Sequence, residues 1–293
     1  MSASTTAQDD RGLFFLVGTG RCGTTLLQAM LSCHSRLCVP PETHFFASFD
    51  PAIDFADPLA AGDDAAYVER CRAVPHWQSL PLQPDELLEV LRGGTRSARA
   101  LFLWWLRRLA GDGAPRGPRL GEKTPRHEQC VPRIAALFPE ARFLHVVRDP
   151  RDVVASLREM PWASSPSVEK LAGECLRTYD RQERFAAQLG PKRYTTCRYE
   201  ALVADPESEL RRVCAFLGEA YEPGMLAYAE REAPGFFESE RPWKADTLAP
   251  LDDSRIGRHR AALAPGELRT VERVLGEQLE RLGYRPDDRP SDP

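Results

Sequence analysis

LFFLVGTGRCGTTLLQAMLSC, residues 13–33, decides the architecture. Leu13–Val17 is a continuous apolar run stopped by Gly18, the pattern of a strand buried on both faces of a parallel sheet. Gly18–Thr25 (GTGRCGTT) follows, and Thr25–Cys33 (TLLQAMLSC) has helical spacing. Strand, glycine loop and helix in that order open an α/β phosphate-binding fold. The GxxxxG frame of the loop aims backbone N–H groups and a helix N-terminus at phosphate oxygens. A nucleoside-triphosphatase loop would continue GK[ST], with the lysine on the terminal phosphates and the hydroxyl on magnesium. Here Thr24 stands at the lysine position and the cation comes earlier, at Arg21. Gly20, Arg21, Cys22, Gly23, Thr24 and Thr25 therefore form a predicted phosphate cradle that lacks the main cation of ATP hydrolysis. Taken alone, the glycines read equally as a turn joining strand to helix. The flanking elements and the inward residues Arg21, Thr24 and Thr25 favour the cradle.

A second clamp is readable in FLHVVRDPRDVVASLR, residues 143–158. Arg142–Val147 is another buried strand, Arg148 follows at its carboxyl end, and Asp149-Pro150 turns the chain into a helix. Ser156 lies eight residues beyond Arg148, so the chain must fold back for both to meet one ligand. An arginine fork and a hydroxyl together hold a phosphate dianion. By itself an Arg-Asp-Pro-Arg run is more often a capped, salt-bridged helix start. Two clamps in one α/β chain imply a ligand with phosphates at both ends.

The remaining pattern alternates strands and helices. Helices are predicted at His127–Phe138, Arg151–Glu159, Val168–Leu189, Pro206–Leu217 and Pro265–Leu282, with a strand at Tyr194–Arg198. The expected fold is α/β: a P-loop-like parallel sheet flanked by helices, with ligand at the carboxyl ends of its strands. One domain spans 12–284. Within it, 50–118 reads as a helical insertion suited to a lid over the acceptor, with helices at Pro84–Leu91 and Ser97–Ala110. Its Trp104-Trp105 pair fits core packing better than substrate stacking. Residues 1–11 and 285–293 read as disordered ends.

Of the 293 residues, 42% are hydrophobic and 28% charged, enough for a full-sized core. Lysines and arginines number 39 against 43 acidic residues, a net charge of -4, which excludes the basic footprint of a general nucleic-acid binder. An anionic ligand needs a local cluster of donors instead. The eight cysteines form no CxxC pair and read as buried thiols of a reducing compartment, not zinc ligands. No apolar run is long enough to span a bilayer, and the polar start MSASTTAQDDRG does not resemble a signal peptide, so a cytoplasmic protein is expected. Only four basic residues are lysine (Lys123, Lys170, Lys192, Lys244), an arginine-rich skew that points to a bacterial coding bias. A lysine inside a motif therefore means more than an arginine does.

GTGRCGTTLL and VVRDPRDVVASL together resemble the family of sulfotransferases that use 3'-phosphoadenosine-5'-phosphosulfate (PAPS), over residues 13–284. The chain looks most similar to the protein-tyrosine sulfotransferase branch and its bacterial relatives. The resemblance implies PAPS as co-substrate, adenosine-3',5'-bisphosphate as product, and no metal. It places the 5'-phosphosulfate on the strand-loop-helix and the 3'-phosphate on Arg148 and Ser156. That branch carries a catalytic glutamate in an E-T pair 21 residues after the loop arginine, matched by Glu42 in PPETHFF. Its catalytic lysine in a K-x-P context is matched by Lys123 in GEKTPRH. Tyr199 in RYEALV and Arg258 in SRIGRHR match residues near the nucleotide. The chain departs from the pattern at Cys22 (usually Ser), at His259 (usually Trp) and at Met160, where a further arginine is expected. Trp243 or Lys244 falls where tyrosyl enzymes place a catalytic serine. These departures turn the expectation away from a tyrosine acceptor, and the arginine-rich coding with no signal peptide turns it toward a hydroxyl or amine of a small molecule, glycan or lipid, with peptide tyrosine as a further candidate.

Sulfuryl transfer needs in-line positioning and charge stabilisation more than covalent chemistry. Lys123 and Arg21 are the cations expected at the leaving phosphate oxygen. Glu42 is the expected base, its pKa raised by desolvation. His44 is the competing base, ranked behind Glu42, and an ordinary structural histidine is its leading reading. Without the family spacing, Glu42 reads as a capping carboxylate, Lys123 as a surface lysine, Tyr199 as core and Arg258 as a surface ion pair. Two other classes compete: a P-loop kinase of nucleotides or small molecules, and an inactive nucleotide-binding module.

Overall fold

The computed structural model describes residues 12–48, 64–74, 77–80, 82–93, 97–111, 119–160, 167–230 and 235–285. The disorder expected at 1–11 and, apart from the described Arg285, at 285–293, and the Pro/Asp-rich start of the insertion up to residue 63, lie outside these described residues. Five strands form one sheet: β1 (Phe14–Gly18), β2 (Leu37–Cys38), β3 (Arg119–Lys123), β4 (Arg142–Val147) and β5 (Tyr194–Arg198), in the order β2-β3-β1-β4-β5. Every pairing is parallel. β1 is central, with Phe14 opposite both Gly121 and Arg142. From β1 the chain crosses to β2 on one side, whereas β4 and β5 lie on the other, so a crevice opens between the ends of β1 and β4.

Alternation along β1 divides the core. Phe14 and Leu16 face one layer, with α1 (Thr24–Leu31), α6 (Pro150–Arg158), α7 (Val168–Leu189), α8 (Tyr199–Ala204), α9 (Pro206–Leu217) and α10 (Pro265–Leu275). Leu13, Phe15 and Val17 face the other, with α5 (Val131–Leu137) and the insertion helices α2 (Asp64–Arg72), α3 (Pro84–Arg92) and α4 (Ala98–Ala110). The Phe15 ring stacks 5.4 Å from that of Phe143 and 5.8 Å from that of Phe102 on α4. Ser97 caps α4 by accepting from the Ala100 N–H. Trp105 is wholly buried against Phe45 and Trp77, and Trp104 is half-buried beside the same layer, so the pair packs as core. The described insertion helices thus cover one face of the sheet.

Three local expectations shift. The helix read at His127–Phe138 begins as a 3-10 turn, Pro125–Cys130, before α5 takes over. The last helix stops at Leu275, because Gly276 takes φ 49, and resumes as a short turn at Glu277–Arg281. β2, two residues long, is too short to leave a periodic signal.

Candidate active site

All five strands run the same way, so their carboxyl ends deliver the site from one edge. β1 delivers the glycine loop, β2 the Val39–His44 segment, β3 Lys123 and Thr124, β4 Arg148, and β5 Tyr199. In the loop, Gly23 caps α1 at φ 105, and a Cβ there would lie 2.5 Å from Tyr199 Cδ2, so the aromatic ring closes directly over it. Arg21 also takes a left-handed φ, 67, uncommon for a residue with a side chain. Its guanidinium reaches across to donate from Nε to Ser156 Oγ (3.1 Å) and from Nη1 to the Trp243 carbonyl (2.8 Å). Cys22 behaves differently. Its thiol is wholly buried against Gly18 and burial pushes it up to about 11, so of this predicted ligand contact only the backbone is available.

Arg148 ties the glycine loop to the Arg255 segment. It donates from Nη1 to the Arg21 carbonyl (3.1 Å) and from Nη2 to the Arg255 carbonyl (2.5 Å), and its guanidinium lies 4.5 Å from the centre of the Tyr199 ring. Its Nε is buried with no hydrogen-bond partner among the described residues. The structure shows the helix-start reading of the Arg-Asp-Pro-Arg run. Asp149 caps α6 through the Arg151 N–H (2.9 Å) and pairs with the Arg151 guanidinium (2.8 Å), while Arg148 is left to the crevice. Arg258 reaches the same crevice but is engaged by Glu159 at 2.6 Å. Its loop is pinned by Asp152, which accepts from Gly257 N (2.7 Å) and His259 N (2.9 Å) and contacts His259 Nδ1 (2.6 Å). His259 is accordingly a buried structural partner.

Opposite the glycine loop sits Glu42. Its Oε1 accepts from Lys123 Nζ (2.5 Å) and from Lys244 Nζ (2.7 Å), and its Oε2 lies 3.4 Å from His44 Nε2. Lys244 is held in turn by Glu240. The raised carboxylate pKa expected for Glu42 is corrected here. Burial does push it up, but the charges of Lys123, then Lys244 and His44, outweigh burial and hold it well below the usual range. Lys123 is wholly buried, and desolvation, aided by Lys244, pushes it down to about 8 against the pull of Glu42. Beneath this group Glu122 accepts from Thr124 Oγ1 (2.6 Å) and Thr43 Oγ1 (2.9 Å) and meets His127 Nδ1 at 2.7 Å. The Phe46 N–H donates to His127 Nε2 (3.1 Å), which makes Nδ1 the protonated nitrogen and Glu122 its acceptor. Glu122 thereby fixes the Thr43–Phe46 segment, and with it Glu42, against the end of β3.

The loop residues Gly20, Arg21, Gly23, Thr24 and Thr25 line one cavity of about 610 Å³ together with Glu42, His44, Arg148, Ser156, Tyr199 and Arg258. Lys123 lies behind Glu42, and Cys22 behind the loop. Lys244, Trp243, Glu240 and Arg255 also line the cavity; the sequence marked Trp243 or Lys244 only as standing where a catalytic serine is missing, and gave Glu240 and Arg255 no place in the site. The rarity of lysine was the signal that could have singled out Lys244.

A profile of the Sulfotransferase family matches residues 14–223. This chain belongs to the sulfotransferase family. It is 28% identical over 298 residues to nodulation protein NoeE of Sinorhizobium fredii, covering 92% of this chain and 65% of that protein. It is 26% identical over 254 residues to the omega-hydroxy-beta-dihydromenaquinone-9 sulfotransferase of Mycobacterium tuberculosis, covering 73% of this chain and 66% of that one. The protein-tyrosine sulfotransferase of Drosophila melanogaster is 25% identical over 293 residues, covering 96% of this chain and 53% of its own length. The chain thus spans about two thirds or less of these relatives. Among solved structures, the sulfotransferase domain of the Synechococcus PCC 7002 olefin synthase superposes with a TM-score of 0.64 at 19% identity, covering 93% of this chain and 94% of that domain. That likeness establishes the sulfotransferase fold.

The site suits the double-ended nucleotide the family implies. Arg148 Nε is buried and unanswered, the Tyr199 ring closes on a glycine that tolerates no side chain, and Arg21, Arg148 and Ser156 converge on one crevice. No described helix is long and apolar enough to cross a membrane.

Proposed function

We propose that this chain transfers a sulfuryl group from PAPS to a hydroxyl or amine acceptor. The observation that carries the reading is the single cavity onto which the glycine loop, the Arg148–Ser156 clamp and Glu42 all open. PAPS would supply an activated sulfuryl group on a phosphate leaving group. The glycine loop and Arg21 would bind its 5' end, and Arg148 with Ser156 its 3'-phosphate. Tyr199 and Arg258 would close on the nucleotide between them. Arg21 lines the cavity where a departing phosphate oxygen would need positive charge, and Lys123, behind Glu42, would add its charge from there. Glu42, ionised by its lysine neighbours, would accept the acceptor's proton on Oε2, and His44 stands beside that oxygen. A P-loop kinase is disfavoured because Thr24, not lysine, stands at the key loop position.

The Sinorhizobium, Mycobacterium and Drosophila relatives differ in what their names say of function, and the acceptor proposed here is a small molecule, glycan or lipid, acted on in a bacterial cytoplasm. Titration with adenosine-3',5'-bisphosphate and with ATP, followed by incubation with labelled PAPS and cell extract, tests the reading. Binding of the bisphosphate and a labelled product are expected. Turnover of magnesium-ATP instead would sink it. Glu42→Gln should nearly abolish transfer while leaving bisphosphate affinity within about twofold of wild type, since general-base loss removes about 10²–10⁴ in rate. A fully active variant would remove Glu42 as base.

A further inference from the structure

The cavity holds a charge arrangement that the family pattern does not supply. Lys123 and Lys244 both donate to one oxygen of Glu42, at 2.5 and 2.7 Å, so Oε1 is fully engaged by two ammonium groups. The two lysines come from opposite parts of the chain. Lys123 ends β3 and is sealed from solvent, whereas Lys244 ends a short helical turn, Arg241–Lys244, and lines the cavity. Glu240, one turn earlier, anchors Lys244, and the preceding Trp243 carbonyl accepts from Arg21. The same turn therefore connects the carboxylate to the loop arginine across the cavity.

Resting on the function proposed above, we propose that Lys244, anchored by Glu240, is a positioning residue for Glu42: with Lys123 it occupies Oε1 and leaves Oε2 as the oxygen that meets the acceptor. Two charges would be poor company in a buried site unless paired, and the quartet Glu42, Glu240, Lys123 and Lys244 is neutral as a whole. The groups facing Glu42 are Lys123 from β3, Lys244 from the Arg241–Lys244 turn and His44 from its own segment, with Glu240 behind Lys244. Removing the Lys244 charge leaves two carboxylates sharing one lysine. The Glu42 carboxyl then gains a proton more readily, and Lys123 loses a like-charged neighbour and holds its proton more tightly. Both limbs of the activity profile must move to higher pH together. Loss of packing alone moves neither.

The experiment uses the full chain with Glu side-chain carboxyls labelled with carbon-13, Glu42 being assigned by its absence in Glu42→Gln. In wild type bound to adenosine-3',5'-bisphosphate, the Glu42 signal should stay ionised down to the acid stability limit. In Lys244→Met it should titrate at a pH higher by about one unit or more. Lys244→Arg should restore the wild-type behaviour, and bisphosphate affinity should stay within about twofold throughout. With an acceptor in hand, Lys244→Met should lower kcat about tenfold or more and move both pH limbs upward. A Glu42 signal in Lys244→Met that remains ionised as in wild type overturns the proposal. Should the Met variant fail to fold, a Lys244→Gln variant with an unmoved Glu42 titration overturns it equally. A wild-type protein that binds the bisphosphate but never transfers from PAPS defeats the functional reading, while the carboxyl titration still decides the role of Lys244.

Discussion

Gly23→Ala probes whether the glycine loop and Tyr199 are packed against one another as a nucleotide cradle. Gly23 sits at φ 105 and ψ 9, outside the region an alanine occupies easily, and the new methyl would lie 2.5 Å from Tyr199 Cδ2 and 3.2 Å from Cε2. The first effect is backbone strain, about 1–3 kcal/mol for a residue held in a sparsely populated conformation. The second is displacement of the Tyr199 ring, which must retreat by about an ångström to reach ordinary contact and so leaves the Arg148 guanidinium, forfeiting about 0.5–2 kcal/mol of cation–π attraction. Together about 1.5–5 kcal/mol is at stake, or about tenfold to several-thousand-fold in affinity if the loop relaxes away from its binding shape. Calorimetric titration with adenosine-3',5'-bisphosphate reads the affinity, and thermal unfolding without ligand reads any strain that stays in the folded loop. A double-mutant cycle with Tyr199→Ala separates the two effects, because removing the ring abolishes the steric component and leaves the backbone one. Additive losses would show that the methyl never meets the ring. An alanine variant with wild-type affinity and wild-type melting would refute the cradle outright.

Arg148→Ala strips hydrogen bonds from the Arg21 and Arg255 carbonyls and leaves Tyr199 uncovered, so bisphosphate affinity should fall by about 1–3 kcal/mol, about five- to 150-fold, by calorimetry. Wild-type affinity would mean the second phosphate clamp is misplaced. Glu122→Gln should cost about 2–3 kcal/mol near pH 7 in denaturant unfolding, because three side chains lose a charged acceptor. Burial raises the Glu122 pKa, but His127 and the two threonine hydroxyls hold it below the ordinary value. Its stabilisation is therefore full above the unfolded carboxylate value and lost as pH falls through the lower folded one, and the gap between wild type and Glu122→Gln should close on acidification. Lys123, pushed down to about 8, is protonated below that pH and neutral above it, so kcat/KM should decline on an alkaline limb near pH 8. A flat profile to pH 10 would remove Lys123 as the needed cation.

How far the sequence reaches is clearest residue by residue. β1, β4, α7 and α9 were legible because each is an apolar or 3.6-periodic run, and parallel strands buried on both faces leave unbroken hydrophobic stretches. β2 was invisible because two residues carry no period, and the break at Gly276 was hidden by apolar spacing that continues across it. Among the residues the structure brings to one cavity, the loop and Arg148 with Ser156 were named from contiguous motifs, and Glu42 only through the spacing that the family resemblance implies. Cys22 shows the limit of that method. A motif position specifies a backbone location, and only packing against Gly18 decides that the thiol turns into the core.

The direction of the Glu42 pKa marks a deeper limit. Read alone, a buried carboxylate should have its pKa raised, and desolvation acts in that direction here as well. The sign reverses because one lysine arrives from β3 and a second from a turn 202 residues away in sequence. Neither separation leaves any local pattern, and the energy of a pair falls with distance in space, not along the chain. A base ionised by paired lysines and a base raised toward neutrality by burial require different behaviour at low pH. The first loses activity only where those lysine pairs are broken or the fold itself fails. The second loses it within the ordinary range of acid titration. The acid limb of the activity profile therefore reports the tertiary arrangement around Glu42, which is why a change at Lys244 should reach it.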